Sequence, residues 1–226
     1  MAISKTVFRN DSLSAQAPEV LAWLQENGTD YFDDISYDED NSAIICKIND
    51  SDALKLFFTG STVLTAYLNN GANFSCRRGT SSLMFVYGVT TGKALYIKYF
   101  HNTGTAFESY GQLIITKDSE NSVTFISLGY NTGSPGYLAF RTASFDKFVI
   151  NNWYGQITTA SLAYESGGYM GQQAAMTALV PFTDKTYEVY TENAFQLPYN
   201  QFFGQEGQFT IESQAYYTTG IFALSD

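Results

Sequence analysis

From Asp30 to Tyr164 the chain is written almost entirely as short runs of β-branched and aromatic residues, each closed by Gly, Asn or Asp. No other feature constrains the fold as tightly. The runs "DYFDDISY" and "SAIICKI" flank the turn-like "DEDN", and "ALKLFFTG", "TVLTAYLNNG" and "NFSCRRG" follow. "LMFVYGV" and "ALYIKYF" are joined by "TTGK", and "GQLIITK" and "SVTFISL" by "DSEN". In the last pair, period-two alternation sends Leu113 and Ile115 to one face of a strand and Ile114 to the other. "GYLAFRT", "KFVINNWYG" and "QITTASLAY" continue the series. Strand signals recurring about every 8 to 12 residues, with turn residues between them, predict a mainly β chain. The expected architecture is an antiparallel sandwich or barrel, with a jelly roll among the allowed topologies.

Two segments depart from this pattern. "SAQAPEVLAWLQENGTD" predicts one short helix over about 14–27, with Ser14 as N-cap, Pro18 near the start and Gly28 at the stop. Val20, Leu21 and Leu24 share a face, with Trp23 nearby, and that stripe must dock on something. After about Ala163 the texture changes to the Gly-rich "YESGGYMGQQ", the apolar "AAMTALVPF" and a long, weakly periodic stretch. Residues 1–165 are therefore expected to form the β-rich core domain. Residues 166–226 would form a C-terminal extension whose closing hairpin packs on that core or on a neighbouring subunit. In "YYTTGIFALSD", Tyr216–Tyr217 and Ile221–Leu224 form the expected arms around Thr218-Thr219-Gly220.

Composition narrows the partners. Charged residues make up 15% of the 226 residues, against 18 Phe and 17 Tyr. A surface low in charge and rich in Tyr, Gly, Ser and Asn suits subunit contacts better than a free monomer. The formal net charge of −10, with Arg77-Arg78 as the nearest thing to a basic cluster, argues against direct nucleic-acid binding. It argues equally against an anionic membrane surface. The N-terminal "MAISKTVFRNDSLSAQAPEV" has no signal-type apolar run, and no segment reaches the ~18 apolar residues of a membrane span. Synthesis in a cytoplasm is the expectation.

Catalytic chemistry finds little support. His101 is the one histidine, without a nucleophile elbow beside it. Cys46 and Cys76, 30 residues apart, match neither a redox motif nor a zinc set and read as buried thiols. Asp33, Asp34, Asp38 and Asp40 crowd one strand-turn-strand. They offer oxygen ligands of the kind Ca²⁺ takes, though without the EF-hand spacing, and a solvated turn accounts for them better. No cofactor is expected. "GYNTGSPGYL" and "ESGGYMGQQ" lack the residues that complete phosphate loops and read as turns. Trp153, Tyr154 and the loop residue Tyr169 are the aromatics best placed to stack on a sugar ring, or equally on a neighbouring subunit.

The C-terminal stretch "ENAFQLPYNQFFGQEGQFTIESQAYYTTGIFALSD" resembles the ending of structural proteins encoded by phages and prophages of gut Firmicutes. Asn193-Ala194-Phe195, Pro198, Tyr217, Gly220, Phe222, Ala223, Leu224 and Asp226 fall on their pattern. The resemblance covers about the last 45 residues and implies a virion component of the head, neck, tail or baseplate that is not an enzyme. Its partners would be copies of itself and other virion proteins, with Phe195, Tyr216, Tyr217 and Phe222 joining Trp153, Tyr154 and Tyr169 as interaction residues. A surface or decoration protein that binds a host glycan or receptor is the alternative.

Overall fold

The computed structural model describes residues 3–8, 12–58, 64–67, 73–75, 83–101, 109–117, 123–131, 134–141, 148–151, 157–160, 176–177, 193–196, 206–219 and 222–226. Within them the chain is mainly β, with antiparallel sheets and one short helix.

A nine-stranded sheet forms the centre. Strand β1 (Ser4–Val7) pairs with β7 (Leu83–Thr90). From there β8 (Ala94–His101), β9 (Ser109–Lys117), β10 (Val123–Asn131), β11 (Ser134–Arg141), β12 (Phe148–Asn151), β13 (Ile157–Ala160) and β14 (Met176–Thr177) follow as a meander. A five-stranded meander precedes most of it in sequence: β2 (Asp34–Asp38), β3 (Ala43–Ile48), β4 (Ser51–Phe57), β5 (Leu64–Tyr67) and β6 (Asn73–Ser75). The third sheet belongs to the C-terminal region. It holds β15 (Ala194–Gln196), β16 (Glu206–Ile211), β17 (Gln214–Thr219) and β18 (Phe222–Ser225) in the order β15-β18-β17-β16.

Alternation along the central strands gives two apolar faces, and each is covered. Leu95, Ile97 and Tyr99 of β8 and Leu113 and Ile115 of β9 join one core with the helix and the five-stranded sheet. Tyr96 and Ile114, one position out of phase, join the other core with Tyr217 and Leu224 of the C-terminal sheet. The faces expected for Leu113, Ile114 and Ile115 are the faces observed.

The helix α1 (Leu13–Asn27) is capped two residues earlier than the sequence suggests, at Ser12 rather than Ser14. Ser12, in extended conformation, is the N-cap and its hydroxyl accepts the Ala15 N–H at 3.2 Å. Pro18 therefore lies inside the helix, where it cannot donate to the Ser14 carbonyl, but Ser14 is exposed and water can take that role. Gly28 ends the helix as expected, and its N–H reaches the Leu24 carbonyl. The buried stripe is Ala17, Val20, Trp23 and Leu24, with Leu21 only partly covered.

Two details of β7 fix how the helix docks. A bulge places Val86 and Tyr87 together opposite Lys98, so Phe85 faces the helix while Tyr87 turns to the other core. Gly88 then lies directly under Trp23, where an added Cβ would stand 2.6 Å from the indole ring. Gln16, fully buried, donates through Nε2 to the Phe85 carbonyl and accepts the Phe85 N–H on Oε1, both at 2.8 Å. A helix side chain thus continues the ladder that β1 leaves after Phe8.

The C-terminal hairpin needs one correction. Tyr217 pairs with Leu224 and Thr218 with Ala223, and β17 runs on through Thr219, while residues 220–221 lie outside the described residues. Thr218 and Thr219 are buried strand residues rather than turn residues, as suits β-branched side chains. A second hairpin, β16–β17, turns on Glu212 and Ser213, both at positive φ, the conformation of the two-residue turns that match strand twist. The proposed boundary near residue 165 and the Gly-rich loop after it lie outside the described residues.

Candidate functional site

Among the described residues, several titratable groups gather in the seam between the central and C-terminal sheets. Lys98 is the one charged position in the alternation of β8 that faces this seam, on the same side as Tyr96. Its ammonium meets Glu206 Oε1 at 2.5 Å, and both side chains are about four-fifths buried (20% exposed each). Tyr96 and Tyr217 pack with ring centroids 6.0 Å apart, Tyr87 and Tyr96 at 5.9 Å, and the Tyr96 hydroxyl lies 3.5 Å from Glu206 Oε1. Lys5, from β1, sits 3.7 Å over the Tyr87 ring. The Tyr87 hydroxyl is buried with no hydrogen-bond partner.

Burial sets the electrostatics of this seam. It pushes the Glu206 carboxyl up to about 7, with the positive charge of Lys5 pulling the other way. It lowers Lys98, and Lys5 lowers it further. Tyr217 rises to about 12 through burial and the neighbouring Glu206, and Tyr96 rises well above its ordinary value through burial, then Tyr217 and Tyr99. Neither Lys98 nor Glu206 was singled out from sequence. A lone Lys inside the apolar run "ALYIKYF" was the available signal, because an inward charge in a strand requires a partner.

A polar cleft of about 300 Å³ lies elsewhere, lined by Asp30, Tyr31, Gly92, Lys93, Lys117 and Asn193. Its groups are largely committed to holding the layers together. The Lys117 ammonium donates to the Asp30 carbonyl, and the Asn193 amide donates to the Lys117 carbonyl. Beside it the Gly92 N–H donates to the Asp226 carboxylate at 2.8 Å and the Thr91 hydroxyl to the Ser225 carbonyl at 2.6 Å.

The residues expected to mediate interactions are dispersed. Tyr217 is buried against Tyr96 of its own chain. Tyr216 is half-buried and stacks on Phe209 at 5.4 Å. Phe195 and Phe222 occupy β15 and β18, opposite Ala223 and Gln196. Trp153, Tyr154 and Tyr169 lie outside the described residues, as does Cys76. Cys46 is a buried free thiol, raised by burial. The acidic residues also separate: Asp33 accepts the Asn49 N–H, Asp34 the Ser36 hydroxyl, and Asp38 both the N–H and the amide of Asn41. Among the described residues no three His, Cys, Asp or Glu side chains gather as a metal ion requires. No described helix is long and apolar enough to cross a membrane. No protein-family model, curated protein or solved structure matches the chain.

Proposed function

We propose that this chain is a structural component of a phage particle, acting by burying its surface against copies of itself and other particle proteins. The observation that carries this reading is a pair of strand edges, beside the C-terminal resemblance and the low charge. Among the described residues β1 and β16 are the outermost strands of their sheets, and the Gln208 amide reaches the Ile3 carbonyl between them. Phe8 donates its N–H to Val86, so alternation turns the main-chain groups of Lys5 and Val7 away from β7. Such groups are a template for another strand.

The edges carry few of the usual guards. Neither SKTV nor EGQFTI contains Pro, and their two charged side chains lie over Tyr87 and against Lys98. Val7 is 70% exposed and Ile211 55% exposed, the large apolar side chains left in solvent among the described residues. The measurement is the mass of the full chain in solution across concentration. A closed oligomer that Val7→Pro shifts to monomer, with the circular dichroism unchanged, supports assembly through the edge. Val7→Pro removes an outward N–H and leaves the β1–β7 ladder intact. A wild-type chain that stays monomeric up to its solubility limit overturns self-assembly.

A further inference from the structure

We propose that the polar cleft beside the β7–β8 turn is a binding site for a small hydroxylated acid of the uronic-acid sugar type. The site lies within one chain and stands whether or not the strand edges pair with another copy.

Segments far apart in sequence build this cleft. Asp30 and Tyr31 follow the helix, Gly92 and Lys93 lie in the β7–β8 turn, Lys117 ends β9, and Asn193 precedes β15. Its volume of about 300 Å³ stands at the lower end of the range for ligand clefts, with room for one small molecule. Main-chain groups around it are spent on the fold. The Asp30 carbonyl accepts from Lys117, the Lys93 carbonyl accepts the Thr116 hydroxyl at 3.1 Å, and the Gly92 N–H goes to the Asp226 carboxylate.

Four side-chain groups are not spent. Tyr31 is only 8% exposed, it lines the cleft, and its hydroxyl has no hydrogen-bond partner among the described residues. A phenol buried without a partner is destabilising, and a ligand in the cleft supplies one. The Lys93 ammonium is exposed and unpaired among the described residues, and Lys117 keeps two ammonium protons beyond its bond to Asp30. Ala94 pairs with Thr116, so Lys93 and Lys117 come next and face each other across the two chains. Like charges placed opposite repel, and an anion between them relieves that repulsion. The fourth group, the Asp30 carboxylate, turns away a bare anion but accepts from a hydroxyl. The fitting ligand therefore carries both: a carboxylate for the two ammonium groups, and hydroxyls for Asp30 and Tyr31. The net charge of −10 opposes an anion at long range, but exposed charges are screened beyond about 8 Å at physiological salt.

The test titrates the full chain with D-glucuronate at physiological salt and follows the backbone amide signals of Tyr31, Gly92 and Lys93 by NMR. A saturable shift of these signals is expected. D-glucose and acetate, each with half of the required chemistry, should bind at least about tenfold more weakly. Lys93→Gln, a change at an exposed residue, should weaken glucuronate binding by about tenfold or more, the effect of losing one charge-assisted hydrogen bond. Tyr31→Phe keeps the ring and should weaken it roughly two- to tenfold. No saturable shift, or variants that bind as wild type does, overturns the proposal. Acetate or glucose binding as tightly as glucuronate also overturns it, since the site would then read only a charge or only hydroxyls. Should a variant misfold, the comparison of the three ligands on the wild-type chain decides.

Discussion

Gln16 shows how much can rest on one polar side chain. It is fully buried, yet both ends of its amide are spent on the main chain of Phe85, where the β7 bulge begins. Gln16→Ala leaves a buried N–H and a buried C=O without partners, a loss of roughly 2–4 kcal/mol that chemical denaturation measures. Gln16→Leu restores the volume without the hydrogen bonds and should recover little of it. Gly88 makes the opposite case, a residue required for what it lacks. Gly88→Ala drives a methyl group into the Trp23 ring and should cost about 1–3 kcal/mol, read from the same denaturation curves. Neither role was visible in sequence. Gln16 lay in the helix segment and Gly88 inside the strand run "LMFVYGV", and neither was singled out. Both meanings depend on a bulge that no local pattern announces. The Lys98–Glu206 pair was hidden for a related reason, since its partners stand 108 residues apart.

At the scale of elements, alternation carried most of the information. The β9–β10 pair and the compact "TTGK" connection were legible because their side chains answer to a period of two and to short-range turn chemistry. The helix was legible for the same local reason, and its cap was misplaced by two residues because Ser12 and Ser14 are equally good caps on paper. Strand β1 was not recognised. "SKTV" is short and polar, with all four residues exposed, and only its pairing with β7 makes it a strand. The C-terminal sheet was recognised as a hairpin, but which surface it covers is a long-range fact. Its docking predicts a clear outcome. A chain ending at residue 205 uncovers Tyr87, Val89, Tyr96 and Ile114 together, and it should bind a hydrophobic dye strongly and lose solubility. Unchanged dye binding and solubility would mean the sheet contributes nothing to the closed body.

Among the described residues, the central sheet is the one layer that contributes to both cores, and its two covers come from opposite ends of the sequence. The helix and the five-stranded sheet precede β7, whereas β15–β18 follow β14. This order has a consequence in time. As the chain leaves the ribosome, the first cover is already made when β7 to β9 emerge, so that core can form at once. The second face has to wait. Tyr96 and Ile114 stay open to solvent while roughly a hundred more residues are synthesised, which at about 5–20 residues per second lasts on the order of 5–20 seconds. For that interval the nascent chain displays an aromatic face beside an open strand edge. Its yield should therefore depend on chaperone capacity and on translation speed over residues 118–205 more than on the stability of the finished fold.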